Sequence, residues 1–440
     1  MLLTKFKFTL PTFGALLSLY SVHPVMAQAT IWPQGEDPNL FLYQDEKLDT
    51  DLGKLRMQAT VTENGAHAPW SETYWPAKDG GIAARYDELP AGKKPGGEAF
   101  TAEHPSLADL KTMSADDIRK LSAAEKFDIA NLHYDYPLTN RVLTQYKRSN
   151  PGWWGICHGW TPAAVNYPEP QAVTAHTRDG LTIEFGASDI KALISYYYAW
   201  EASQFDENDV QHWGFKNDDK GVSNYYQNDP KMVYFLYRQL GQRCAHGFLA
   251  SGQCKETNMN PAAFHLALAN LVGKYQRSFI VNVDPKKQVW NQPIYGYSST
   301  VLDQQFLKAG DGPIAGATRK VLIHTTLTYV VESDPHYAPN GASVLTSKKE
   351  LAYWLYVDGG NQVIGGEWST GHFLQSGKNT DYIGFAWRAS RVPFLGDFTV
   401  LNKLYVPASH KTTSYTMGRN YTPGLEDTYY HVNSSSINEF

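Results

Sequence analysis

The strongest constraint on the fold of this chain is a change of texture along it. Between residues 114 and 200 the sequence carries helix-start signals, and beyond residue 263 it turns into alternating β-branched and aromatic runs. Ser114 with Asp117, and Ser122 with Glu125, have capping-box spacing, in which a hydroxyl and a carboxylate satisfy the first N–H groups of a helix. A second helix is predicted from Ser188 along SDIKALISYYYAW. A third is expected to end near Leu240, with Asp229 as its N-cap and Pro230 at the first helical position, where a missing N–H costs nothing. Strands are expected over 264–272, 278–284, 321–332, 351–358 and 382–387, with turn residues at 358–361 (DGGN) and 364–366 (IGG). Helices first and antiparallel strands afterwards predict an α+β fold.

The chain has 440 residues, 42% of them hydrophobic and 19% charged, which suits a packed globular protein and not a disordered one. Its net charge is −5 and it has no basic run, so it is a poor match for phosphate backbones, and no nucleic acid partner is expected. Four regions are expected: a signal peptide over 1–27, an N-terminal region or propeptide over 28–110, a catalytic core over 111–310 and a β-rich C-terminal region over 311–440. The first rests on a basic head (MLLTKFKF), an apolar centre over 10–22, and small residues before a cut after Ala27 or Ala29. Pro11, Ser18 and His23 interrupt that centre, whereas a membrane anchor needs roughly 20 apolar residues. A secreted chain without a membrane segment is the expectation. GKKPGG over 92–97 reads as an exposed linker inside the N-terminal region.

Export changes the reading of the three cysteines, because oxidising compartments favour disulfides. Cys244 and Cys254 flank a small-residue loop, AHGFLASGQ, and their closure would contribute on the order of 2–3 kcal/mol. That pairing leaves Cys157 as a thiol. There is no GxSxG, HExxH, paired CxxC, Walker loop or GxGxxG. The acidic runs at 206–209 and 217–219 do not have EF-hand spacing.

Cys157 sits in PGWWGICHGWTPAA (151–164), where Gly152, Gly155 and Gly159 allow the backbone to bend and approach closely. A thiol that opens a helix has its pKa lowered by the positive end of the helix dipole, and the same amides can hold an oxyanion. Pro162 would cost such a helix one hydrogen bond. His158 is a poor base, since neighbours on a helix point about 100° apart. His265 is the better candidate. Read as a strand, it shares a face with Ala267 and Ala269, and a hairpin turning at 273–276 sets it opposite Asp284, with Asn282 opposite Ala267. Cys157, His265 and Asp284 then follow the order of papain-like enzymes: nucleophile, base, orienter. Trp154, Trp160, Trp290 and Asn282 are the candidates for the substrate cleft, with Trp153 beside them.

WGICHGWTPAA (154–164) resembles the nucleophile motif of the transglutaminase elicitor family of oomycetes and marine bacteria, and DPKKQVWNQPIYGY (284–297) is similar to that family's VWNQP segment. LSAAEKFD (121–128), YDYPLT (134–139) and IGGEW (364–368) are similar too. The resemblance implies a secreted, calcium-dependent enzyme with a papain-like core that joins protein glutamine to protein lysine. It implies Cys157 as nucleophile, His265 as base and Asp284 as orienter, and it names no calcium ligands. The residues after Pro293 differ from the oomycete segment. Two other classes fit the same residues: a papain-like peptidase or amidase, and a non-catalytic aromatic-rich adhesin or carbohydrate-binding module.

Overall fold

A computed structural model describes residues 32, 35–43, 45–62, 67–85, 104–202, 237–241, 259–283, 289–308, 312–333, 343–369, 382–408 and 414–416. The β-branched and aromatic runs of the second half pair into one antiparallel sheet. Its strands are β1 (Gln58–Thr60), β4 (Tyr237–Leu240), β5 (Ile280–Asn282), β6 (Asn291–Phe306), β7 (Ala317–Val330), β8 (Thr346–Asp358), β9 (Val363–Trp368) and β10 (Ala386–Ala389), in the order β4-β10-β5-β6-β7-β8-β9 with β1 on β6. A smaller sheet holds β2 (Val173–His176), β3 (Thr182–Phe185) and β11 (Ser414–Thr416).

Around its central strand the large sheet is buried on both faces, and the two-residue period of a strand assigns neighbours to different cores. Ile280 lies with Val330 and Trp387 in one, Val281 with Ile294, Ile323 and Ala386 in the other. The first core is closed by helices α1 (Leu107–Leu110), α2 (Ala115–Lys120), α3 (Ala123–Ala130), α4 (Pro137–Gln145), α5 (Cys157–Asn166) and α6 (Ala187–Tyr196). The second is closed by α7 (Pro261–Ala267) and its continuation through 268–274. This is an α+β fold, as the order of helix and strand signals predicts.

The capping chemistry does what its spacing implies. Ser122 Oγ accepts the Glu125 N–H at 3.2 Å while the Glu125 carboxylate accepts the Ser122 N–H at 2.9 Å, and Ser114 Oγ accepts the Asp117 N–H at 3.1 Å. α6 starts one residue before the expected Ser188. Its Asp189 accepts the Gly186 N–H at 2.8 Å and the Lys126 ammonium at 2.7 Å, a fully buried ion pair that joins α3 to α6.

Three expectations are overturned. Residues 261–267 are helical, not a strand, so the hairpin turning at 273–276 and the register that sets His265 opposite Asp284 do not exist. Asn260 caps the helix, its side chain accepting the Ala262 N–H at 2.9 Å, with Pro261 at the first helical position. The helix is buried on every side, so its alternation of large and small residues carries no strand information. Residues 364–366 lie inside β9 and make no turn. A Cβ on Gly366 would stand 2.6 Å from the Trp354 carbonyl oxygen and 3.0 Å from the Ala262 nitrogen, so the glycine is where α7 lies down on the sheet. Residues 237–240 form β4, paired with β10, and not a helix end. The proposed cap at Asp229 and Pro230 lies outside the described residues, as does the linker over 92–97. The turn at 358–361 does join β8 to β9, with Asn361 at φ 67°.

The described residues between 32 and 85 contribute to both cores, Trp70, Trp75 and Ile82 to one and Trp32, Phe41 and Val61 to the other.

Candidate active site

Cys157 occupies the first position of α5, after Ile156. The loop before it is held by residues 74–77. The Ile156 N–H donates to the Tyr74 carbonyl at 2.8 Å, the Ala77 N–H donates to the Trp154 carbonyl at 2.8 Å, and the Tyr74 hydroxyl donates to the Gly152 carbonyl at 2.5 Å. Gly155 is required there, because any Cβ would collide with the Tyr74 carbonyl oxygen. Gly159 is required four residues further on, where a Cβ would collide with the Ser195 carbonyl oxygen as α5 crosses α6. Pro162 lies inside the helix, and the turn around it is buttressed by Thr161 Oγ1 donating to the Cys157 carbonyl at 2.9 Å. Packing therefore fixes where α5 begins.

The half-buried thiol of Cys157 faces β6. Asn291 Nδ2 donates toward its sulfur at 3.8 Å, and Asn291 Oδ1 accepts the Trp387 indole N–H at 2.9 Å. Trp290, one residue earlier, is half-buried; its backbone N–H donates to Asn282 Oδ1 at 3.1 Å, and its ring meets Tyr74 edge-on at 6.1 Å. The VWNQP segment is thus brought against the helix that carries the cysteine. Asn282 pairs with Asn291 across β5 and β6 and is buried, so it holds the segment in place and does not line a cleft. Trp154 is 45% exposed, edge-on to Trp153 at 6.1 Å. Trp160 is no cleft wall: it is fully buried, its indole donating to the Trp70 carbonyl at 3.3 Å.

His265 is not brought to Cys157. It sits on α7 between Phe264 and Leu266, in the core on the far side of the sheet, with Nδ1 2.9 Å from the Tyr353 hydroxyl. Burial pushes its pKa down to about 4, so it is neutral across the physiological range. A buried neutral imidazole bonded to a tyrosine is a packing element. His158 turns its ring edge-on to Trp200 at 5.9 Å. Asp284, Cys244 and Cys254, the expected orienter and disulfide, lie outside the described residues.

Three participants, Tyr74, Asn291 and Trp387, carry no catalytic signal of their own in the sequence. Asn291 lies inside a motif quoted for its resemblance, while Tyr74 and Trp387 come from distant segments with no local signal. The description transglutaminase elicitor belongs to the family whose model matches residues 38–205 and 248–400, which include Tyr74, Cys157, Asn291 and Trp387. The chain belongs to the transglutaminase elicitor family. No curated protein matches its sequence. Among solved structures it is similar to the crystal structure of the GP42 transglutaminase from Phytophthora sojae, with 20% identity and a TM-score of 0.52 over 81% of this chain and 93% of that one. That likeness is one of fold.

Among the described residues no group of three or more His, Cys, Asp or Glu side chains is gathered that could hold a metal ion. The acidic runs at 206–209 and 217–219 lie outside them. Among the described residues no helix is long and apolar enough to cross a membrane.

Proposed function

We propose that this member of the family is a secreted transglutaminase that forms isopeptide cross-links between protein glutamine and protein lysine, with Cys157 as its nucleophile. The observation that carries the reading is Cys157 at the first position of α5 with Asn291 of VWNQP on its sulfur. A helix carrying the nucleophile and packed on an antiparallel sheet is also the layout of papain-like enzymes. Export rests on the leader-like first 27 residues.

The reaction needs two acyl transfers. The sulfur attacks the carboxamide carbon of a glutamine, an S–C bond forms, and the carbonyl electrons move to oxygen. When they return, the C–N bond breaks and ammonia leaves carrying the proton that the thiol gave up, leaving a thioester on Cys157. A lysine amine then attacks that thioester, loses a proton, and the thiol is regenerated. The start of α5 faces the developing oxyanion with its positive end. Water competes with lysine at the second step, and Trp154, Trp290 and Tyr74 supply the aromatic surface that limits it. His265 is given no part, since the sheet separates it from the sulfur.

The test is incubation of the secreted protein with casein and a fluorescent primary amine, with and without a calcium chelator. Amine incorporation without peptide cleavage is expected, and the chelator arm reads the calcium dependence that the resemblance implies. Cleavage of casein without incorporation would instead establish a peptidase on the same nucleophile. Neither activity in either arm would leave the adhesin or sugar-binding reading.

A further inference from the structure

We propose that Asn291 is a further catalytic residue, an N–H donor held on the Cys157 sulfur by Trp387; the proposal deepens the reading of Cys157 as nucleophile and rests on it. The orientation of an asparagine amide is decided by its partners. An indole N–H can only donate, so the group 2.9 Å from Trp387 Nε1 must be the Asn291 oxygen. That leaves the NH2 end of the amide on the side of Cys157, 3.8 Å from the sulfur. Rotating the amide would set two donors against each other at the indole and remove the donor from the thiol. One hydrogen bond therefore decides which end of Asn291 the nucleophile meets.

The support is rigid. Asn291 lies in β6 and Trp387 in β10, the two neighbours of β5, paired with Asn282 and Ile280 of that central strand. Both side chains are buried, so the donor acts where solvent screens it little. A donor of this kind discriminates between the two forms of a cysteine, because a thiolate accepts a hydrogen bond far better than a thiol. It thereby favours the reactive form before substrate arrives. Asn291 touches the reacting atom, and Trp387 acts through it as a positioning residue.

The test is the pH dependence of iodoacetamide alkylation, read by mass spectrometry on the Cys157 peptide so that Cys244 and Cys254 do not contribute. Alkylation needs no substrate. If the wild type incorporates no amine, the transglutaminase reading fails while the alkylation profile still judges Asn291. In Asn291→Ala the midpoint for Cys157 is expected to rise by about one pH unit, a roughly tenfold slower reaction below it. Asn291→Asp keeps the shape and puts a negative charge beside the sulfur, so the midpoint rises further. Trp387→Phe removes the orienting N–H and gives a smaller rise in the same direction. An unchanged midpoint in folded Asn291→Ala and Asn291→Asp overturns the proposal. Loss of the folded melting transition in all three variants makes the pair structural and overturns it equally.

Discussion

Cys157→Ala is expected to lower amine incorporation at least about 10³-fold, with the melting temperature within a few degrees of the wild type. The loss is large because no covalent intermediate can form, and orientation in the cleft is all that remains. The fold is spared for a local reason. Position 157 already carries a Cβ at the start of α5, alanine is the best helix former, and the half-buried sulfur is all that is removed. The stability change is under about 1 kcal/mol by that argument. Measuring incorporation beside a thermal melt separates a chemical loss from a collapsed site. Incorporation at wild-type rate in the alanine variant would remove Cys157 from the mechanism.

Glu46→Ala is expected to cost about 3–5 kcal/mol of stability. The Glu46 side chain is fully buried and receives the Arg388 guanidinium through two bonds, at 2.6 and 3.0 Å, with Arg277 at 2.6 Å and the Tyr43 N–H at 2.8 Å. Arg388 is 4% exposed, so removing the carboxylate strands a buried positive charge. Burial alone would raise the Glu46 carboxyl, but the hydrogen bonds and charge of Arg388 outweigh it and hold the group below the ordinary carboxylate range. The sign follows. The stabilisation is present at neutral pH and is lost as pH falls through that lowered value. Arg388 is two residues from the start of β10, next to Trp387, so the variant is also expected to loosen the strand that positions Asn291. Urea unfolding of the two proteins at pH 7 checks the magnitude. A change under 1 kcal/mol would mean that residues 32–62 are only loosely attached to the sheet.

The parts of the fold that rest on local chemistry could be read directly. The hydroxyl–carboxylate box at Ser122 and Glu125 makes its own hydrogen bonds, so four residues suffice to announce the helix. The runs expected as strands over 321–332 and 351–358 are β-branched and aromatic, and the structure pairs the strands that contain them, 317–330 and 346–358, along their length. The start of α5 at Cys157 was legible for a similar reason: glycine is needed wherever backbones nearly touch, and Gly155 and Gly159 mark two such contacts. α7 reads as a strand because a helix with no solvent face has no apolar stripe, and Phe-His-Leu-Ala-Leu-Ala then imitates one. The better signal was Asn260-Pro261, an N-cap followed by a first-position proline. That misreading alone placed His265 beside Asp284.

The site divides in the same way. Cys157 could be found from its own neighbours in the sequence, whereas the groups around it belong to three elements remote in the chain. Tyr74 reaches the nucleophile loop through its backbone carbonyl, which no side-chain pattern encodes. Trp387 acts through an amide whose orientation exists only once β10 and β6 flank β5. Tertiary register, and not residue type, makes them participants.

The most direct measurement is the mass of the Cys157 peptide after brief incubation with a short glutamine peptide and no amine. A thioester on that cysteine is expected, with the mass of the donor less ammonia, and it disappears when a primary amine is added. Undiminished amine incorporation by protein whose Cys157 is already fully carboxamidomethylated would contradict it.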